Sequence, residues 1–407
     1  MFERLIGRTR PYKPSKDGEK VNYEFLGNEA IENVITCLNY HMDRVVFFGY
    51  KDLVASQEGK LIDFLKKYCD VPKVEFIVIE DNNLQAALHV MREKICSDIR
   101  LGNYIFFDIT GGEELILVAF GMLASEYFLP IHSFDINENI VRTHTSKSPY
   151  GVMNNAEPKK VDLDIDSYIK LYGGAVNSRL QKKIKGEESE ELSEDISKIY
   201  DVASRFFKYW NPFSDILKDP LIGENNLHVN QSFAILDKVL NKHKTVIRSK
   251  DKFFDILDAL GECGILKRVR HAGMSFSFTY KDADSKALLW EGGSVLEMHV
   301  FGEEKEKSHD CMVGVHIDWD GVIHEKASED VFNEIDVLSI KGNVPTFISC
   351  KSGKMDNTKV LHSLYELKTV ADRFGGDHAK KVLVIAQQVN DIYLERAKIM
   401  GIEVRRV

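Results

Sequence analysis

The chain has 407 residues, 44% hydrophobic and 29% charged, with 54 Lys and Arg against 63 Asp and Glu for a formal net charge of −9. That length exceeds one ordinary core and predicts two or three domains, while no apolar run approaches the ~20 residues a membrane span needs. The basic N-terminus MFERLIGRTRPYKPSKDG lacks the apolar centre of a secretory signal, and the six cysteines form no Cys-x-x-Cys pair, which argues against structural zinc or a disulfide scaffold and predicts reduced thiols in a cytoplasm.

An acidic balance disfavours phosphate binding over the whole surface. Charge is uneven, however. Basic clusters stand at Lys182-Lys183-Lys185, Lys267-Arg268-Arg270 and Arg405-Arg406, and acid is concentrated from Glu187 to Asp195. The pattern permits a local basic groove without establishing one.

From Tyr23 to about Ile140 short apolar runs alternate with helical stretches. Strands are predicted at Tyr23–Leu26, Arg44–Tyr50, Val74–Ile79, Tyr104–Ile109 and Pro130–Phe134, with helices at Ala30–Tyr40, Ser56–Tyr68, Asn83–Ile99 and Glu113–Phe128. This alternation means a parallel sheet covered on both faces, a doubly wound Rossmann-like α/β domain over residues 1–150. Ligands of such sheets sit outside the carboxyl ends of the strands. Those ends read Leu26-Gly27-Asn28-Glu29, Gly49-Tyr50-Lys51-Asp52 and Asp108-Ile109-Thr110-Gly111-Gly112-Glu113. Glycines there let a ligand approach the backbone, and a helix start beside them attracts phosphate. The absence of G-x-x-x-x-G-K-[ST] and G-x-G-x-x-G argues against an ATPase or a dinucleotide-binding dehydrogenase.

Residues 151–286 read as a helical linker and a winged-helix-like region. Asp162 to Ile222 is helical and polar, with KKIKGEESEELSEDISK read as a solvated helical hairpin or a connector. Helices at Asn230–Leu240 and Phe253–Cys263 precede two alternating strands around His271-Ala272-Gly273. Lys267, Arg268 and Arg270 suit phosphates, but the candidate recognition helix Phe253–Leu260 is acidic, which favours a spacer over a DNA reader.

A third domain spans 287–407. A helix Ala287–Phe301, weakened at Gly292-Gly293, carries Glu297 and precedes a strand at Met312–Trp319. Phe332 to Lys351 reads as a β-hairpin, with Ile335, Val337 and Ile340 on one strand, Thr346, Phe347 and Ile348 on the next, and Gly342-Asn343 as residues tolerant of positive φ at the turn. Then follow a helix Asn357–Phe374 stopped by Gly375-Gly376, a strand Lys381–Ala386, a helix Asp391–Met400 and a strand Ile402–Arg405. Glu334 and Asp336, two apart, project from one face of their strand, and hairpin pairing can bring Lys351 beside Asp336. A carboxylate, a lysine and main-chain carbonyls on adjoining strands can hold a divalent metal and its water against a phosphodiester.

Asp336 followed by Ser349-Cys350-Lys351, in helix–three-strand–helix–strand order, resembles the PD-(D/E)xK nucleases, a restriction-endonuclease-like α/β fold. The resemblance implies catalytic roles for Asp336 and Lys351 and a Mg²⁺ or Mn²⁺ ion held by Asp336, the Cys350 carbonyl and Glu297. The sequence departs from the pattern at Ser349, where the family carries a second acid. Glu297, Glu334 and Glu366 are the candidates to supply the missing charge.

The D-I-T-G-G strand end at the fourth βα turn is similar to the CARF domains, dimeric sensors of cyclic oligoadenylates in type III CRISPR immunity. By that resemblance Asn28, Glu29, Tyr50, Lys51, Thr110, Gly111, Gly112 and Glu113 line a ligand cleft. The two resemblances together imply a homodimeric antiviral effector without a membrane anchor, activated by cyclic oligoadenylate, cyclic tetra-adenylate above all. It would cut DNA, RNA or both. Two other readings remain open at this point: a ring nuclease that degrades cyclic oligoadenylate, and a ligand-responsive DNA-binding regulator without nuclease activity.

Overall fold

The computed structural model describes residues 11–80, 83–144, 148–180, 190–223, 226–243, 246–247, 249–324 and 331–407. The Lys182-Lys183-Lys185 cluster and the start of the acidic run at Glu187 lie outside the described residues. The chain divides into two compact units: Met1–Gly173 with the short segments Gly342–Val344 and Gly376–His378, and the remainder from Gly174 onward.

The first unit comprises β1 (Lys20–Phe25), α1 (Ile35–Asn39), β2 (Arg44–Tyr50), α2 (Lys51–Cys69), β3 (Lys73–Ile79), α3 (Leu84–Leu101), β4 (Tyr104–Asp108), α4 (Glu114–Tyr127), β5 (Ile131–Asp135), β6 (Ile140–Thr143), α5 (Val152–Asn155) and α6 (Ile165–Leu171). Its sheet order is β3-β2-β1-β4-β5-β6, parallel through β5 with β6 antiparallel at the edge. Val21, Tyr23, Val45 to Phe48 and Ile105 to Phe107 are fully buried. These central strands are therefore covered on both faces, which is why they read as unbroken apolar runs. Strand order reverses between β1 and β4, so the crevice of the doubly wound sheet opens beyond their ends.

The helix expected over Ala30–Tyr40 shortens to Ile35–Asn39, because Asn33 folds back on the preceding turn: Gly27 N donates to Asn33 Oδ1 at 2.9 Å and Asn33 Nδ2 to Gly27 O at 3.0 Å. Lys51 sits in no turn; helix α2 begins at it directly after Tyr50.

The second unit carries β7 (Ala175–Val176), α7 (Glu190–Lys218), α8 (Pro220–Gly223), β8 (His228–Ser232), α9 (Phe233–His243), α10 (Lys250–Glu262), β9 (Leu266–Ala272), β10 (Ser275–Tyr280), α11 (Ala283–Trp290), α12 (Ser294–Lys305), β11 (Asp310–Asp318), β12 (Phe332–Lys341), β13 (Val344–Lys351), α13 (Asn357–Gly375), β14 (Lys380–Ile385), α14 (Asp391–Ile399) and β15 (Ile402–Arg406). Strands β8-β10-β9 form an antiparallel sheet, and a mixed sheet runs β15-β14-β13-β12-β11-β7.

Helix α7 is no polar connector. It kinks at Phe206 and buries Ile199, Trp210, Phe213, Ile216 and Leu217 completely. These join Phe253, Leu257, Phe276, Phe278, Leu289 and Val295 in one apolar cluster, so the β8–β10 sheet is built into the same core as α11 and the start of α12. The expected helix Ala287–Phe301 is two helices, α11 and α12, broken over Glu291–Gly293. The break is fixed by packing: Ser214 Oγ accepts from Gly292 N at 3.1 Å, and a Cβ at Gly292 would stand 2.9 Å from Ser214 Cβ. The stretch expected as helix from Asn230 begins as a strand, β8, which pairs with β10.

Candidate functional site

The β12–β13 hairpin closes over the two residues Gly342 and Asn343, of which only Gly342 has positive φ, at 62°. A two-residue turn sets Asp336 opposite Ser349. The contacts agree: Asp336 Oδ2 accepts from Ser349 Oγ at 3.0 Å, from Cys350 N at 2.5 Å and from Lys351 Nζ at 3.3 Å. The Asp336 side chain is 15% exposed and that of Lys351 32%. Buried Ile335 and Val337 flank Asp336, so the same alternation that fills the core turns the carboxylate toward solvent.

Glu297 lies in the first turn of α12, where a helix N-terminus favours an anion. Burial pushes the Cys350 thiol well up, with further upward pushes from the Asp336 and Glu297 carboxylates. Both acids therefore act on one point of β13. Glu334 is exposed, opposite His316 on β11. Glu366 is engaged elsewhere, accepting from Asn333 Nδ2 at 3.2 Å, and does not join Asp336.

Sequence reasoning missed the support behind Lys351. Lys351 O accepts from Ala386 N at 3.0 Å, while the next residue, Ser352, is buried, donates to Asn211 Oδ1 at 3.2 Å and accepts from Gln387 Nε2 at 3.4 Å. Asn211 comes from α7, so no local pattern in the sequence marks it.

Among the described residues no group of three or more His, Cys, Asp or Glu side chains could hold a metal ion. The donor set still suits one type of ion. Asp336 Oδ2 is saturated by its three donors, and Oδ1 accepts no hydrogen bond among the described residues. Mg²⁺ is commonly bound by one or two carboxylates with substrate phosphate and water completing its octahedron. Asp336 through Oδ1, with Glu297, fits that mode and not a closed all-protein cage.

In the first unit the turns after β1 and β4 adjoin: a Cβ built on Gly27 would lie 3.9 Å from Gly112 N. Thr110 is a structural brace. Its N–H donates to Asp108 Oδ1 at 2.9 Å, its hydroxyl donates to the same oxygen, and Phe134 N donates to Thr110 Oγ1 at 2.8 Å. What the turn leaves for a ligand is backbone. Gly111 is pressed against Glu32, so that a Cβ added there would stand 2.4 Å from Glu32 Oε2, and Gly112 has φ of 123°. Asn28 is exposed, and Glu29 accepts a hydrogen bond from the Tyr172 hydroxyl. Burial, together with Glu113, pushes the Tyr50 hydroxyl up to about 12, and the Tyr50 ring meets Phe25 edge-on at 5.4 Å.

Beneath that turn is a buried polar cluster the sequence did not disclose. Asp108 Oδ2 accepts from the Thr36 hydroxyl at 2.5 Å and lies 3.2 Å from His132 Nε2, while Asn22 Nδ2 donates to Glu24 Oε1 at 2.7 Å. Burial raises the Asp108 carboxyl, but His132, Thr110 and Thr36 outweigh it and hold the group at about 2. Glu24 moves the other way, well up, through burial and the neighbouring Asp108 charge.

Against known proteins, residues 284–405 match the family model "Card1-like, endonuclease domain". No curated protein matches the sequence. Among solved structures, protein VC1899 from Vibrio cholerae is similar over 95% of this chain and 94% of its own, at 18% identity and TM-score 0.68. Can2 from Sulfobacillus thermosulfidooxidans, solved in complex with cyclic tetra-adenylate, is similar over 95% of this chain and 93% of its own, at 13% identity and TM-score 0.61. These likenesses give a shared fold along almost the whole chain. The hairpin that joins Asp336 to Lys351 falls inside the segment that matches the endonuclease-domain model.

Proposed function

We propose that the protein is a metal-dependent nuclease of type III CRISPR defence that cuts DNA or RNA phosphodiesters when cyclic oligoadenylate binds its N-terminal domain. One observation carries the reading: Lys351 Nζ and Ser349 Oγ converge on Asp336 within an endonuclease-family domain. Asp336 and Glu297 would hold Mg²⁺ or Mn²⁺, with the Cys350 carbonyl as a further ligand. The ion would supply Lewis-acid polarisation of the phosphate. Lys351, anchored on Asp336, places a fixed positive charge where the phosphate gains negative charge, and orients the attacking water. Ser349 holds the Asp336 carboxylate and adds no charge of its own.

The cyclic tetra-adenylate bound to Can2, a protein of the same fold, supports that ligand for the crevice of Asn28, Glu29, Tyr50, Lys51, Gly111, Gly112 and Glu113. A twofold-symmetric ring suits a homodimer offering each set of backbone donors twice. No helix among the described residues is long and apolar enough to cross a membrane, and the free cysteines suit a reducing cytoplasm.

The test incubates purified protein with Mn²⁺, labelled DNA and RNA, and each cyclic oligoadenylate in turn. Expected is ligand-dependent cleavage that disappears in Asp336→Ala and in Lys351→Ala while both variants still bind ligand. Unchanged cleavage in either variant removes the active-site assignment; a shortened activator with intact DNA and RNA moves the chemistry to the N-terminal domain.

A further inference from the structure

The basic run Lys267-Arg268-Arg270 is shaped by the β8-β10-β9 sheet in a way its spacing conceals. In a regular strand Lys267 and Arg270, three apart, would face opposite sides. Here Thr279 pairs with Lys267 and Ser277 with Arg270, so two β9 residues, Arg268 and Val269, oppose the single Phe278. Arg268 takes φ of 55°, and this β-bulge shifts the alternation by one. Lys267 and Arg270 are thereby brought to the same face.

That face is polar except at Ala272. Cross-strand rows run His228–Thr279–Lys267, Asn230–Ser277–Arg270 and Ser232–Ser275–Ala272. The opposite face holds Val229, Phe276, Phe278 and Tyr280, all buried in the core cluster. No carboxylate occupies any of the outward positions. Lys267 and Arg270 are exposed, and among the described residues neither meets an acid. Several other cations of this unit are each held by an acid: Lys281 by Asp195, Lys250 by Asp237, Lys381 by Asp372 and Arg405 by Glu304. In a chain of net charge −9, two free cations among hydroxyl and amide donors form a surface complementary to a polyanion.

We infer that the outward face of the β8-β10-β9 sheet is a phosphate-backbone contact for the nucleic acid the endonuclease domain acts on, with Lys267 and Arg270 as its charged anchors. The inference rests on the nuclease reading for its occupant. The sheet shares one apolar core with α11 and α12, so it is fixed with respect to the domain that carries Glu297. The face offers no aromatic platform beyond His228, whose Nδ1 lies 2.9 Å from Thr279 Oγ1, so it suits positioning by phosphate contacts and not base stacking.

The test measures anisotropy of short fluorescein-labelled DNA, single-stranded and duplex, and of short labelled RNA, across a salt series, in an Asp336→Ala background so that binding is read without cleavage. Lys267→Glu with Arg270→Glu is expected to weaken binding about tenfold at low salt, alike for unrelated sequences, and to flatten the log-log salt slope by roughly 1.5. Lys267→Gln with Arg270→Gln gives a smaller loss in the same direction, while Lys267→Arg with Arg270→Lys, and Lys60→Glu with Lys66→Glu on α2, bind as the parent does. Charge-reversed protein that binds like its parent at every salt concentration overturns the inference, as does parent protein that binds neither DNA nor RNA. Salt-sensitive binding lost on charge reversal, in a wild-type protein that cuts nothing, would sustain this contact and overturn the nuclease reading alone.

Discussion

Asp336 Oδ2 takes three donors of different kinds, and their removal has unequal consequences. Ser349→Ala deletes one neutral hydrogen bond, about 1 kcal/mol, from a carboxylate that keeps two others. Cleavage should stay within about tenfold of the parent by single-turnover assay. Lys351→Ala deletes the only charged donor and should cost about 100-fold or more, as loss of a preorganised electrostatic partner does. The Glu24–Asp108 pair makes a separate residue-scale prediction. Asp108, held at about 2, contributes stability that is complete above the ordinary carboxylate range and fades only in strong acid. Glu24 is raised, so the native state keeps a proton that the unfolded chain has released, and stability falls as pH rises above the ordinary Glu range. Glu24→Gln should therefore raise Tm more at pH 8 than at pH 5 in thermal melts. An equal effect at both would mean Glu24 is ionised in the fold.

At the scale of elements, the bulge in β9 and the turn after β4 both depend on backbone in the left-handed region. Arg268 holds φ of 55° with a side chain that is exposed, so Arg268→Gly should stabilise the protein by about 1 kcal/mol, read as a higher denaturant midpoint. Arg268→Val at the same place should destabilise, because a β-branched residue resists that conformation. Gly112→Val forces φ of 123° on a branched side chain whose Cβ stands 3.1 Å from Leu117 and 3.2 Å from Phe25, and should cost roughly 1–3 kcal/mol. Much of this architecture was legible in the sequence. The apolar runs of β2 and β4 and the stop of α13 at Gly375-Gly376, with Gly376 at φ of 66°, follow from burial and chain conformation alone. The Asp336–Lys351 pairing was legible too, because a two-residue turn sets hairpin register. The bulge was not, since Arg268 is no glycine and only the pairing with Thr279 and Ser277 reveals the slip. Nor was the commitment of the Thr110 hydroxyl, whose partner Phe134 N lies on another strand, or the burial of α7, whose Trp210 meets a core assembled from distant segments.

For the whole molecule, the proposal requires that a ligand at one unit alter the activity of the other, and a ligand does this only through unequal affinity for the states it chooses between. Binding to the folded state alone raises stability by RT ln(1 + [L]/Kd), about 2.7 kcal/mol at 100-fold excess over Kd. Cyclic tetra-adenylate should accordingly raise the melting temperature of the N-terminal unit by the same amount in wild-type and Asp336→Ala protein, because Asp336 takes no part in the crevice. In an Asn28→Ala, Lys51→Ala protein the thermal shift and the activation of cleavage should shrink together, while cleavage without ligand stays at the parent's basal level. A variant that loses the shift yet is fully activated would separate the crevice from control of the nuclease. If activation further requires a homodimer, the ligand-induced shift will grow with protein concentration in wild type and in Asp336→Ala protein alike, since mass action on association adds to mass action on binding.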